Sequence, residues 1–203
     1  MRVVKIPGVF GCLYPGLIWR MPVKGKSIYL TFDDGPSPGV TDFVLESLDM
    51  YNAKATFFCL GKNIAAHPSL YENIRKQGHA VGNHTYNHLN GWETEDAVYY
   101  EDISRCSELV ETKLFRPPYG KISFSQIRYL KKKYSIVMWD VLSWDFDKNT
   151  SEETCLKNVL QNAHEGSIIV MHDSPMAEQK VRYALPRVLD FFSEGGYRFS
   201  ALP

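Results

Sequence analysis

The chain has 203 residues, 44% hydrophobic and 23% charged, the size and balance of one globular domain with one sizeable core. Lys+Arg and Asp+Glu both total 23, so the net charge is zero and implies neither a nucleic acid nor an anionic membrane as partner. No apolar run approaches the roughly 18 residues of a membrane span, and no transmembrane segment is expected.

The first residues, Met1 to Gly8, carry no signal-peptide pattern, because their apolar stretches are short and broken by Pro7 and Gly8. They predict a cytoplasmic protein. The segment Phe10 to Met21 (FGCLYPGLIWRM) reads either as a cover over the floor of the domain or as a membrane-surface patch. Cys12, Cys59, Cys106 and Cys155 are scattered with no CxxC, which predicts reduced, mostly buried thiols rather than a disulfide framework.

Short β-rich runs then alternate with helical patterns, predicting an α/β fold with a mostly parallel sheet. Strands are expected near residues 27–32, 55–60, 79–83, 114–117, 135–140, 167–172 and 197–201. Between them, one helix is expected over about 41–51 and another ends at Gln77, with Gly78 in the position after the cap. A long helix is expected over about 95–112. Thr150 and Glu153 form a candidate capping box for the next, and a last helix ends near Glu194.

The chemistry sits at the ends of these strands. Thr31-Phe32-Asp33-Asp34-Gly35-Pro36 closes the first of the seven with two adjacent carboxylates. Like charges that close are costly unless a cation holds them or one keeps a proton. A metal ion could bind one and leave the other as a base; an ordinary Asp-Gly turn is the plainer alternative. His84-Thr85-Tyr86-Asn87-His88 places two imidazoles four residues apart, on one face if the segment is a helical turn. Two His and one carboxylate leave open positions, the pattern of a catalytic zinc site, and the mixed set also tolerates Co²⁺, Ni²⁺ or Fe²⁺. Phe115-Arg116-Pro117-Pro118-Tyr119-Gly120 fixes an arginine at a strand end, either to hold a catalytic carboxylate or to make a surface ion pair. Asp145-x-Asp147-x-Asn149 fails as a calcium loop, since Thr150 and Leu156 stand where Gly and Glu are needed. A buried-type strand ends at His172, a candidate acid or base. His67, His79 and His164 lack such context and read as structural or surface residues. Asp33-Asp34, His84, Arg116, Asp140 and His172 all fall at or just past strand ends, which in a β/α barrel converge on one mouth.

In order, TFDDGP, HTYNH, FRPPYG, WDVLSWDFD and IIVMHDS resemble the five motifs of the polysaccharide deacetylases, the NodB-homology group of carbohydrate esterase family 4. The resemblance runs from Thr31 to Ser174. It implies a single domain over 1–203 with a motif core about 27–174, folded as a distorted (β/α)7 TIM-like barrel. It also implies metal-dependent hydrolysis of N-acetyl groups on an N-acetylated amino sugar in a glycan. A monomer is the expected state. By motif position, Asp33 resembles the general base, and Asp34, His84 and His88 the ligands of one divalent ion, Zn²⁺ first. Arg116 would orient Asp33, the Tyr119 backbone N–H would hold the oxyanion, and Asp145 would tune the general acid His172. Phe146 stands where tryptophan is usual and Val170 where leucine commonly lines the acetyl pocket, which bears on the choice of acyl group. Two other readings remain: a metal-dependent amidase for a small non-sugar or lipid-linked amide, and a carbohydrate-binding barrel without catalysis.

Overall fold

Residues 3–8, 11, 13–22 and 25–203 are described by the structure, a computed structural model. In chain order the elements are β1 (Leu17–Ile18), β2 (Ser27–Asp33), α1 (Val40–Met50), β3 (Thr56–Cys59), α2 (Gly61–Ala66), α3 (Pro68–Lys76) and β4 (Ala80–Asn83). They continue with α4 (Asp96–Ser107), β5 (Leu114–Phe115), a 3-10 turn over Pro118–Gly120, α5 (Phe124–Leu130), β6 (Ser135–Val137) and β7 (Val141–Leu142). The last are α6 (Glu152–Leu160), β8 (Ile168–His172), α7 (Glu178–Glu194) and β9 (Arg198–Phe199).

The strands are parallel and run in the order β1-β6-β5-β4-β3-β2-β8-β7, with β9 adding to the start of β2. The run between β6 and β7 bends across the gap that would otherwise leave the sheet open. Met138 N–H donates to the Ile18 carbonyl on one side, and Asp140 N–H to the Ile168 carbonyl on the other. The curled sheet is thereby a distorted barrel, as expected. Its central strand shows why: both faces of β2 are covered, so its sequence is nearly continuous in buried residues. Ile28, Leu30 and Phe32 point outward into the main core with Val44 and Leu48 of α1 and Val181, Leu185 and Val188 of α7. Tyr29 faces inward, against the interior cluster of Phe58, Leu114, Val137, Ile168 and Leu202. The period of two places Thr31 and Asp33 on this inner side.

Several boundaries differ from those expected. The long helix stops at Ser107 rather than Thr112, because Thr112 turns back to the Val81 carbonyl and leads into β5. The cap of α6 is Ser151, whose hydroxyl accepts from Thr154 N–H, one residue past the expected Thr150–Glu153 box. The fifth expected strand, 135–140, is a strand only over β6, and the chain bends before β7 begins at Val141. Part of the segment 10–21 forms β1 against β6, and Met21 N–H donates to Gly166 O at the sheet's lower end; residues 9, 10 and 12 lie outside the described residues. Cys59, Cys106 and Cys155 are buried free thiols, as predicted, while Cys12 lies outside the described residues. No helix among the described residues is long and apolar enough to cross a membrane.

Candidate active site

The sheet register brings the site together. Asp33 on β2 pairs with His172 on β8, and both are the last residues of their strands. Asn83 ends β4 opposite Phe115, so the next residues, His84 and Arg116, emerge side by side. Asp33, His84 and His172, with Asp34, His88, Tyr119 and Trp139, line a cavity of about 480 Å³, and Pro117, Leu142, Trp144, Phe146, Val170 and Met176 complete its wall.

Arg116 is fully buried beneath the cavity and makes four hydrogen bonds with its guanidinium. Nη1 donates to Asp33 Oδ1 and Thr31 Oγ1, each at 2.7 Å; Nη2 donates to Met138 O at 2.8 Å; Nε donates to Val137 O at 3.3 Å. Its face lies 4.1 Å from the Phe58 ring centroid. The surface-pair alternative for Arg116 is therefore overturned. Burial pulls its pKa down and the Asp33 carboxylate opposes that.

The adjacent carboxylate, Asp34, faces two imidazoles. His84 Nε2 lies 3.6 Å and His88 Nε2 3.2 Å from Asp34 Oδ1. His84 Nδ1 donates to the Arg116 carbonyl at 2.8 Å, which fixes the tautomer and leaves the Nε2 lone pair directed at Asp34. Burial holds the His84 pKa down, to about 4, so the ring is neutral, as a metal ligand must be. For Asp34, burial pushes the pKa up, but the imidazoles around it, His88 first and then His172 and His84, outweigh that and hold the carboxyl well below its usual range. Asp34 Oδ1 is also buried without a hydrogen-bond partner. A buried carboxylate oxygen without a hydrogen-bond partner, faced by two imidazole nitrogens, fits a cation. Among the described residues Asp34, His84 and His88 are the group that could hold a metal ion, with ligand atoms all within 4.8 Å of one another.

The two histidines lie in a loop, not on the shared face of a helical turn that their spacing suggested. Thr85 and His88 both have left-handed backbone, with φ of 65° and 66°. Thr85 Oγ1 accepts from His88 N–H, closing the loop locally. Asp102 of α4 holds it from outside: its carboxylate accepts from the backbone N–H of Tyr86 and Asn87 and from the Asn87 amide, at 2.8, 2.9 and 2.6 Å. Of the non-glycine residues with positive φ among those described, Asp34, Thr85, His88, Tyr119 and Trp144 all lie in the loops around the cavity, and Asn52 alone is remote. Backbone strain concentrated in this way belongs to functional sites.

Asp145 is fully buried and takes His172 by two bonds, accepting from the backbone N–H and from ring Nδ1–H, each at 2.7 Å. Burial pushes the His172 pKa down, but the Asp145 charge and hydrogen bond, with the Asp34 and Asp33 charges, raise it to about 9. Phe146 packs edge-on to the His172 ring at 5.0 Å. Tyr119 is left-handed at φ 59° and exposed, and its hydroxyl lies 3.0 Å from His88 Nδ1. Val170 is buried in the cavity wall.

Six of the eight expected site residues line one cavity, and Arg116 and Asp145 are buried behind it, bonded to Asp33 and His172. Asp140, expected at the same mouth, lies elsewhere. Its backbone bonds Ile168 at the start of β8, and its carboxylate accepts from the Ser167 hydroxyl and faces Arg20, at the opposite end of the strand from His172. The chain bends after Val137, so Asp140 never reaches a strand's upper end. His79, with Nδ1 accepting from Ala55 N–H, is a buried structural residue, as read. Asp147 Oδ1 accepts from the Asn149 N–H in the turn before α6. Sequence reading missed Thr31, Asp102, Trp139 and Asp173. Thr31 is two residues from Asp33 on one strand face and was legible from that spacing; Asp102 has no such local signal. Asp173 fills the space where a Cβ on Gly35 would lie 1.9 Å from its carboxylate, which is why glycine follows the aspartate pair.

The profile of the family described as polysaccharide deacetylase matches residues 20–138. A peptidoglycan-N-acetylglucosamine deacetylase of Bacillus cereus is 36% identical over 191 residues, covering 89% of this chain and 88% of that one. A chitooligosaccharide deacetylase of Azorhizobium caulinodans is 36% identical over 76% of this chain and 77% of its own. The crystal structure of the Bc1960 peptidoglycan N-acetylglucosamine deacetylase superposes with a TM-score of 0.89 at 32% identity, over 98% of this chain and 95% of that chain. A family 4 carbohydrate esterase from Streptomyces lividans, in complex with acetate, gives a TM-score of 0.78 at 31% identity, over 90% and 95% of the two chains.

Proposed function

Since this chain belongs to the polysaccharide deacetylase family, we propose that it hydrolyses N-acetyl groups from N-acetylglucosamine units of a glycan. One observation carries the reading. Asp33, held by Arg116, and His172, held by Asp145, are partners across β2 and β8 and line the same cavity as the Asp34–His84–His88 cluster.

Asp34, His84 and His88 would hold one divalent ion, Zn²⁺ by donor type. Such an ion, when bound, polarises an amide carbonyl and makes water more acidic. Asp33 takes the proton from the attacking water; Arg116, bonded to its Oδ1, keeps it aimed. The Tyr119 backbone N–H, in its left-handed turn on the cavity wall, receives the developing oxyanion. His172 gives its proton to the leaving amine nitrogen, since an amine leaves only when protonated. Asp145 keeps that proton on the ring near neutral pH and orients it. Val170 and Phe146 shape the apolar wall against the acyl group.

The competing small-amide reading is separated by a substrate panel. The proposal expects acetate release from N-acetylglucosamine oligomers with kcat/KM rising from monomer to longer chains. Faster turnover of small non-sugar amides than of any oligomer would replace it.

A further inference from the structure

The zero net charge hides a marked segregation. From Thr112 to Trp139 there is no Asp or Glu, while Lys113, Arg116, Lys121, Arg128, Lys131, Lys132 and Lys133 all fall in that span. Arg116 is buried in the site, and Lys121 faces Glu93 at 3.8 Å. The other cations concentrate at α5 and its exit, where Arg128 and Lys131 to Lys133 are exposed and make no ion pair within 4 Å among the described residues. Asp96, the acid of α4 that reaches α5, is taken by the Gln126 amide and the Tyr100 hydroxyl.

Large apolar side chains stand among these cations. Phe124 is 69%, Leu13 60% and Tyr129 54% exposed, an unfavourable arrangement in water for one small face. The Tyr14 and Phe124 rings stack at 5.3 Å, fastening the amino-terminal segment to the first turn of α5. Leu13, Tyr14, Phe124, Arg128 and Lys131 line one shallow groove. In the next groove Tyr129 stacks on Tyr100 beside Lys132 and Lys133.

We propose that the face formed by α5, the Lys131–Lys133 run and the segment around Leu13 is a docking surface for an anionic lipid membrane. Exposed aromatic and aliphatic side chains set among long cationic ones fit the boundary between headgroups and acyl chains, where the apolar groups insert and the ammonium groups meet phosphate. A soluble polyanion would use the lysines but give Phe124 and Leu13 nothing to enter, so the lipid surface is the better match. The proposal is independent of the reaction catalysed.

The test is flotation of the full chain with vesicles of phosphatidylglycerol and phosphatidylcholine, against vesicles of phosphatidylcholine alone. Binding is expected to the anionic vesicles only, falling steeply as salt rises. The triple variant K131S/K132S/K133S should bind roughly a hundredfold more weakly, and Phe124→Ser with Leu13→Ser about tenfold more weakly. Unchanged melting curves and unchanged activity on soluble substrate would show that both variants are folded. Equal binding to both vesicle types, or binding indifferent to the lysine changes, would overturn the proposal. So would binding that the Phe124 and Leu13 changes leave intact and soluble polyphosphate competes away, an outcome that would assign the face to a polyanion.

Discussion

Arg116 Nη1 lies 2.7 Å from Asp33 Oδ1, and the arginine of this pair is wholly out of contact with solvent. The remaining guanidinium donors reach Thr31, Val137 and Met138, so the side chain ties the β2 carboxylate to the β6 exit across the barrel interior. Removing one partner of a buried pair strands the other charge, at a cost of about 3–5 kcal/mol. Arg116→Ala should lower unfolding free energy by that amount and abolish turnover. Arg116→Lys should keep the charge near Asp33 but lose most of the fork, giving a folded protein of intermediate stability and low activity. Urea unfolding of both variants checks this, and an Arg116→Ala protein as stable as wild type would contradict it.

The Asp145–His172 pair should be visible in pH dependence. A histidine whose folded pKa is raised to about 9 from an ordinary 6.5 binds its proton more tightly when folded. Its contribution to stability is therefore complete below about pH 6.5 and is lost as pH rises through about 9. In metal-free Asp145→Asn protein, burial is no longer opposed by that charge and the His172 pKa falls. The decline in stability between those pH values should flatten, and in the loaded enzyme the alkaline limb of the rate profile should move to lower pH. Unfolding free energies across that range, with wild type in parallel, measure the first; pH–rate profiles measure the second.

Asp102 touches no ligand atom of the candidate metal site but holds the loop that carries His88. Asp102→Ala leaves the Tyr86 and Asn87 N–H donors without their acceptor. Supporting groups of this kind typically set metal affinity by about 10–100-fold. That loss is expected in a chelator competition assay, with all three metal-binding side chains still present. Unchanged affinity in the folded variant would show that Thr85 and the Asn83 side chain suffice to shape the loop.

His84→Ala removes one candidate ligand and leaves a void beneath the Arg116 carbonyl. It should abolish both retention of the ion and turnover. Full activity in a metal-free His84→Ala sample would remove Asp34, His84 and His88 from the mechanism altogether.

Much of this site was legible in the sequence because its residues sit where local pattern is strong. Asp33, His84, Arg116 and His172 each close or follow a run of strand residues, and a parallel sheet brings such ends together without further information. Asp140 failed the same reasoning because the run after Ser135 is a strand only to Val137; a bend between two short strands has no periodicity of its own. The helical placing of the two histidines failed because two left-handed residues, one of them the β-branched Thr85, are imposed by tertiary contacts rather than by propensity. Asp102 was missed for a similar reason: its partners are 15 and 16 residues away, and only the packing of α4 onto the loop connects them.

The most direct measurement is acetate release from N-acetylglucosamine oligomers by metal-stripped protein, before and after Zn²⁺ is restored, with Asp33→Asn alongside. The account predicts release that depends on the added ion, and a variant that binds the ion as tightly as wild type yet releases little acetate. Release that persists without metal, or an Asp33→Asn variant as active as wild type, would contradict it.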